Sequence, residues 1–247
     1  MTKQTAIVTG GTRGIGLATA KKFLGKGFNV VVAGPHEKPE VMVELQELGT
    51  ATFFKCDVAD ANQVQALVDQ TVKEFGQIDV VANVAGILGN HQPFIEADLD
   101  NIRRVLDVNL MGTINIDQKV AAQMVKQGFG TIVNVGSIDG FMTNFESIGY
   151  MASKGGVRMT TAAVAREVAP YGVRVVSVAP GWVETGMVNP ATKAYGSSLH
   201  MKGRIIQPDE VAGAIYLATL PEASAINGTT IMADDGYTAF KGTDLPN

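Results

Sequence analysis

The sequence holds a single cysteine, Cys56, only three histidines and one tryptophan. One thiol forms no internal disulfide. Its setting in Phe53-Phe54-Lys55-Cys56 reads as a buried, inert side chain rather than a nucleophile. His36, His91 and His200 are far apart in the chain and show no ligand spacing, so no metal site is expected. There is no basic run and the net charge is −4, which argues against general nucleic-acid binding. No apolar run reaches membrane-spanning length. The chain enters a strand at Thr5-Ala6-Ile7-Val8 without a charged leader, so no signal peptide and no membrane partner are expected. A soluble, reducing, cytoplasmic setting fits these absences. A Pro/Ser linker, a low-complexity tract and an internal repeat are also lacking, so one domain over residues 1–247 is expected. With 46% hydrophobic and 18% charged residues, the chain suits a compact fold with a substantial core.

What is present is an alternation of short apolar runs and helical segments. Runs that read as strands are Thr5–Thr9, Asn29–Ala33, Ala51–Lys55, Asp79–Ala82, Thr131–Val135, Val173–Val178 and Thr229–Met232. Helices are predicted over Pro39–Leu48, from Asp60 or Ala61 to Phe75, and over Leu99–Lys126, Met151–Ala169 and Asp209–Leu220. Another follows the glycines after the first strand. Asp60 is a suitable N-cap and Gly76 a suitable closing residue for the second of these. Strand–helix alternation implies an α/β fold, a doubly wound parallel sheet of about seven strands flanked by helices. Ligands bind such sheets at the carboxyl ends of the strands. Gly10–Gly16, Asp57, Asn83–Gly86, Ser137 and Pro180-Gly181 all fall just past predicted strand ends. The long unpatterned segment from Trp182 to Gly203 lies on the same rim and reads as a substrate lid or as a plain loop.

The first strand runs into Thr9-Gly10-Gly11-Thr12-Arg13-Gly14-Ile15-Gly16. Strand, glycine turn, helix is the setting in which backbone amides approach a phosphate at a helix N-terminus. The spacing is G-x-x-x-G-x-G, and a plain tight turn is the competing reading. The second strand ends in Ala33-Gly34-Pro35-His36, with no carboxylate before Glu37. An acid there would bond a ribose 2′-hydroxyl; its absence, with Arg13 within reach, favours a 2′-phosphate and so NADP(H) over NAD(H). Arg13 could equally be solvated, and His36 a loop residue.

Tyr150 and Lys154 lie four apart at the start of a predicted helix, so they share a face. An ammonium beside a phenol favours the phenolate and lowers its pKa from about 10 toward neutrality. Ser137, ending the fifth strand run, could bond the oxygen that Tyr150 protonates. A surface Tyr/Lys contact is the plainer reading of the pair alone.

Taken together these residues resemble the short-chain dehydrogenases/reductases over essentially the whole chain. The matching motifs are Thr9-Gly10-x-x-x-Gly14-x-Gly16, Asp57-Val58, Asn83-Val84-Ala85-Gly86, Asn109, Ser137, Tyr150-x-x-x-Lys154 and Pro180-Gly181 with Thr185. Val84 departs from the second Asn of the family motif, and Asp234-Asp235-Gly236 departs from Asp-Gly-Gly. The resemblance implies hydride transfer between nicotinamide and a carbonyl or secondary alcohol. It implies Tyr150 as general acid/base, Lys154 as ribose ligand and pKa-lowering cation, Ser137 as orienting hydroxyl, and Asn109 as support for a proton-relay water. Asn109 could instead satisfy helix backbone. Cofactor contacts are expected from Gly10, Thr12, Arg13, Gly14, Ile15, Gly16, Gly34, His36, Asp57, Val58, Asn83, Ala85, Gly86, Tyr150, Lys154, Pro180, Gly181, Val183 and Thr185. Asn83 is expected also to fix strand ends, and Thr185 could simply cap a lid helix.

Substrate-facing candidates are Ile87, Leu88, Asp139, Phe141, Asn144, Phe145, Trp182, Met187, Tyr195 and Leu199. This mainly apolar set suits a ketone, ketoester or 3-oxoacyl compound; Asp139 keeps a sugar, polyol or diol open. A carrier-bound acyl substrate would want a basic patch, for which Arg103, Arg104 and Lys119 are available. Surplus apolar residues on the two long helices suggest a homo-oligomer, a tetramer or dimer. A nucleotide-sensing protein without turnover, and a lyase or epimerase with a permanently held cofactor, are the competing classes.

Overall fold

Successive side chains of the first strand, Thr5–Thr9 (β1), go to opposite sides of a sheet, and both sides are apolar. Ala6 and Val8 join one core with Phe23, Val30, Val32, Val133, Val176 and Ile215. Ile7 joins the other with Val31, Leu67, Val81, Ile116, Ile132 and Val175. Strands buried on both faces need helices on both faces, and that is the architecture. The computed structural model describes residues 3–144, 146–186 and 190–239.

The strands β2 (Asn29–Gly34), β3 (Ala51–Lys55), β4 (Val80–Asn83), β5 (Gly130–Val135), β6 (Val173–Pro180) and β7 (Thr230–Ala233) join β1 in one parallel sheet of order β3-β2-β1-β4-β5-β6-β7. β1 pairs with both β2 and β4, so the winding reverses beside it and a crevice opens at the carboxyl ends of β1 and β4. Helices α1 (Gly14–Gly25), α2 (Pro39–Leu48) and α3 (Ala61–Phe75) follow the first three strands. Asp60 caps α3 by accepting from the Asn62 and Gln63 amides, and Gly76, at φ 84°, closes it.

Three departures from the sequence reading bear on function. The predicted helix Leu99–Lys126 is α4 (Leu99–Leu106) and α5 (Gly112–Gln127), joined by a π turn at Asp107–Met111 that holds Asn109. Such turns occur mostly as single-turn bulges within α-helices, and apolar periodicity does not mark them. The Tyr150 helix, α6 (Ile148–Val168), starts three residues earlier than predicted, which sets Tyr150 in its first turn. The segment 182–203 is not unpatterned: it contains α7 (Pro190–Leu199), ahead of α8 (Pro208–Thr219). Strand β6 also runs two residues further, because its ladder with β7 continues to Pro180 opposite Ala233.

Candidate active site

The turn between β1 and α1 is shaped by glycines where nothing larger fits. A Cβ on Gly16 would overlap the Gly10 carbonyl oxygen, and Gly14 sits at φ +51° against the Thr185 side chain. Arg13 is the α1 N-cap without a side-chain cap bond, and no acidic residue occupies the first turn. The helix start therefore presents uncapped amides, the arrangement that attracts a phosphate.

These amides open on a groove of about 560 Å³, whose lining runs from Gly10, Thr12, Arg13, Gly14, Ile15 and Gly16 to Gly34, Pro35, His36 and Lys38. It continues over Cys56, Asp57, Val58, Ala85 and Gly86 to Thr185. The residues fit a dinucleotide: amides for a pyrophosphate, small residues where a planar base would lie, and bases rather than acids at the end of β2. Asp57 accepts from the Ala59 amide and lies 3.2 Å from an Arg104 guanidinium nitrogen. Burial, helped by Asp57 and Asp60, pushes the Cys56 thiol up to about 11, so it stays protonated and inert.

Asn83 is the correction in this group. It lies behind the groove, accepting from the Thr9 hydroxyl at 3.0 Å and reaching Asn134 at 3.4 Å. The same Thr9 oxygen receives the Val84 and Ala85 amides, so Asn83 sets the groove wall through Thr9. Asn134 in turn donates to Asp117 of α5 at 2.9 Å. Asp117 is fully enclosed with one oxygen unpaired, and burial raises its carboxyl to about 7.

Beyond Gly86 the groove joins a second cavity of about 290 Å³; Ile15, Val84, Gly86, Ile87 and Thr185 line both. Ser137, Tyr150 and Lys154 stand in its wall beside Val135 and Gly136. The Ser137 hydroxyl bonds the Tyr150 phenol and also accepts from the Asp139 amide at 3.1 Å. The expectation that Lys154 lowers the Tyr150 pKa is not met. Burial raises the phenol to about 12, the Ser137 bond pulling the other way and the charge of Asp139 adding to the rise. Burial lowers Lys154 to about 8, and its ammonium donates to the Val135 carbonyl at 2.7 Å, 5.6 Å from the Tyr150 ring centre. Desolvation outweighs the pairing inferred from helical spacing alone.

Asn109 does not line either cavity. Its amide group grips the backbone of Ile87, accepting from N–H and donating to C=O at 2.8 Å each, and donates to the Ser153 hydroxyl at 3.1 Å. Its side chain is thus fully used in holding the strand-β4 loop to α6.

Pro180, Gly181, Val183 and Thr185 line the substrate cavity, as do Ile87, Leu88, Asp139, Asn144 and Trp182. Phe141 instead lies under the Arg158 guanidinium, 4.3 Å from its ring centre. Tyr195 packs edge-on against Trp182 outside the cavity lining, which Leu199 also does not join. Phe145 and Met187 lie outside the described residues. His91, Ser147 and Thr192 line the cavity and Lys38 the groove, none of them singled out from sequence. No local pattern marks His91; only the fold brings it to Ser147, at 3.0 Å.

The segment after β6 is anchored at both ends. Val183 bridges Ile206, and Trp182 and Glu184 exchange backbone bonds with the same residue. His200 is buried; its Nε2 accepts from the Trp182 amide at 3.3 Å and its Nδ1 bonds the Arg204 carbonyl at 3.0 Å. Glu184 also pairs with Lys193 of α7. Among the described residues no group of side chains could hold a metal ion, and no helix is long and apolar enough to cross a membrane.

The family described as short chain dehydrogenase matches residues 4–196. A 3-oxoacyl-[acyl-carrier-protein] reductase of Synechocystis is 36% identical, over 97% of this chain and 99% of that protein. An L-fucose dehydrogenase of Oryctolagus cuniculus is 35% identical, over 98% of this chain and 87% of its own. A crystal structure of a variant actinorhodin polyketide ketoreductase with NADPH superposes with a TM-score of 0.91 at 31% identity, covering 96% of this chain and 98% of that one.

Proposed function

Because the chain belongs to the short-chain dehydrogenase family, a family of oxidoreductases that use nicotinamide cofactors, we propose that it passes hydride between NADP(H), in preference to NAD(H), and a carbonyl or secondary-alcohol compound. The observation that carries this is the placement of Ser137, Tyr150 and Lys154 in the wall of one cavity that shares an edge with the groove.

When bound, the nicotinamide supplies or accepts the hydride. The chain's own residues do the rest. The Ser137 hydroxyl and the Tyr150 phenol open on the cavity together, so a carbonyl oxygen placed there meets two donors. A phenol raised to about 12 keeps its proton at neutral pH and still gives it downhill to an alkoxide, which suits the reductive direction. Lys154, lowered to about 8, exchanges protons near neutrality and can replenish the phenol side of the wall. Asn109 fixes the Ile87 backbone, which forms the shared edge of groove and cavity, and so acts as a positioning residue. Tyr150→Phe is expected to lower kcat by about 10³-fold with the nucleotide dissociation constant unchanged. Turnover equal to wild type would sink the reading. Nucleotide binding by the wild type without turnover of any carbonyl or alcohol would favour a sensor.

The preference for NADP(H) rests on charge. The groove end beyond β2 offers Arg13, His36 and Lys38 and no free carboxylate, since Asp57 is engaged by Arg104 and the Ala59 amide. Those bases suit a 2′-phosphate.

The substrate is a ketone, ketoester or related carbonyl rather than a carrier-bound chain. Arg103 is paired with Asp100 and Arg104 with Asp57, which neutralises much of the basic patch an acidic carrier would need. The two relatives above have names pointing to quite different substrates at the same level of identity, so likeness alone does not choose. A homo-oligomer, a dimer or tetramer, accounts for the exposed Met111, Ile148 and Met159 beside or on α5 and α6. Sedimentation as a monomer at micromolar concentration would overturn that part.

A further inference from the structure

Among the described residues, the substrate cavity presents a carboxylate, that of Asp139, with no hydrogen-bond donor. Asp139 follows Ser137 by two residues on the short turn Ile138–Gly140, and its amide is tied to the Ser137 hydroxyl at 3.1 Å. Its carboxylate lines the cavity, yet among the described residues it accepts no hydrogen bond and makes no ion pair. It is close enough to the reacting end that its charge acts on the Tyr150 phenol. His91 lines the same cavity and lies near enough to act on Asp139, with its Nδ1 bonded to the Ser147 hydroxyl. The remaining polar lining includes Asn144, Thr185 and Thr192.

A half-buried acceptor without a donor is costly once a ligand shuts out water. A methylene placed beside Asp139 would remove its hydration and return nothing. A hydroxyl placed there would supply the missing donor. Sites built to bond a polar substrate group reject the analogue lacking it far more strongly than an apolar pocket rejects one extra hydroxyl. A hydroxyl is a neutral donor and brings no second charge into a cavity whose other lining is largely apolar. A carboxylate or phosphate on the substrate would face Asp139 directly and be repelled.

From this we propose that Asp139 is a specificity-determining residue and that the substrate is a hydroxylated carbonyl compound, or the corresponding diol or polyol, with a hydroxyl on a carbon next to the reacting one. Asp139 accepts a hydrogen bond from that hydroxyl while Ser137 and Tyr150 hold the reacting oxygen. This deepens the reading of the site as a carbonyl reductase and rests on it. It also narrows the range expected from composition: simple ketones and 3-oxoacyl chains fit the apolar half of the cavity, around Ile87 and Leu88, but not the half that Asp139 and His91 occupy.

The test compares matched pairs with the full chain and NADPH or NADH: 2-hydroxycyclohexanone against cyclohexanone, and 3-hydroxy-2-butanone against 2-butanone, with the diols and alcohols in reverse. Ethyl 3-oxobutanoate and an acetoacetyl thioester form a third arm. The wild type is expected to show kcat/KM about 100-fold higher for the hydroxylated member of each pair. Asp139→Leu should erase most of that ratio, with the hydroxyketone losing about 30-fold more in kcat/KM than the plain ketone loses. Asp139→Asn, which keeps an acceptor oxygen, should recover part of it. A role that is only structural would lower both members alike. If the leucine variant does not fold, Asp139→Ala replaces it, and the wild-type ratio stands as a test by itself. Ratios near one in the wild type, equal losses in the variant, or preference for the thioester would overturn the proposal while leaving the reductase reading intact. No cofactor turnover with any compound in either direction would remove the reductase reading and this one with it.

Discussion

The nucleotide groove and the substrate cavity meet along Ile87 and are built on different physics. The groove is built on small residues at or just past strand ends, the glycine turn, Gly34, Ala85 and Gly86, with Arg13, His36, Lys38 and Asp57 toward its outer end. It recognises through amides and a helix start. The cavity is lined by side chains from loops far apart in the chain, with His91, Asp139, Ser147, Trp182 and Thr192 meeting only after folding. A groove of the first kind suits a common cofactor, because backbone geometry is set by the strand–turn–helix unit itself. A cavity of the second kind can change its ligand by exchanging side chains without touching the sheet.

The sharpest way to separate the two regions is to disable each alone. Tyr150→Phe should remove about 10³-fold of kcat and none of the nucleotide affinity. Gly16→Ala should do the reverse at the groove. Its new Cβ overlaps the Gly10 carbonyl oxygen, so the turn must open, and nucleotide affinity should fall at least about 100-fold by fluorescence titration. If the two variants behave alike, groove and cavity are not separable units.

A smaller effect is expected behind both regions. Asp117 ends the buried chain Thr9–Asn83–Asn134–Asp117 that backs the groove wall. Its carboxyl is near 4 when unfolded and raised to about 7 in the fold. Between those values the folded chain holds a proton that the unfolded chain releases. Its contribution therefore weakens as pH rises from about 4 to about 7 and is flat above. Asp117→Asn should flatten that slope, worth on the order of 4 kcal/mol in denaturant titrations across the window. An unchanged slope would mean that the carboxyl is ionised throughout.

The smallest effect concerns the outer end of the groove. Arg13→Ala should weaken NADPH about 10-fold and NADH less than about 2-fold, because an exposed charge-assisted contact to phosphate carries only modest energy. Equal weakening of both would show that Arg13 does not read the 2′-phosphate. Lys38→Ala, at the same end, would then show which base does.

Much of this molecule could be read from its residues in order. The helix Pro39–Leu48 and the strand Ala51–Lys55 stand where the pattern puts them, and Asp60 and Gly76 cap α3 as their chemistry requires. Most of the expected cofactor residues line the groove or its junction. The exception among them is Asn83, and Asn109, expected to be catalytic, likewise stays out of both cavities. Asn83 is held by the side chains of Thr9 and Asn134 and Asn109 by the backbone of Ile87, and no spacing reveals which partner a side chain will find.

The amino-acid order by itself determined the alternation of strands and helices, the double-sided core and the glycine turn, since these follow from local periodicity and from steric limits on each residue. It also marked Ser137, Tyr150 and Lys154 as one chemical unit. Only the tertiary structure decided how that unit is tuned. Four-residue spacing suggested that Lys154 would depress Tyr150, whereas burial raises the phenol and lowers the ammonium. Only the fold brought Asp139 and His91 into one cavity with the reacting end. Desolvation and through-space charge depend on what surrounds a group in three dimensions, and neighbours in sequence do not carry that information.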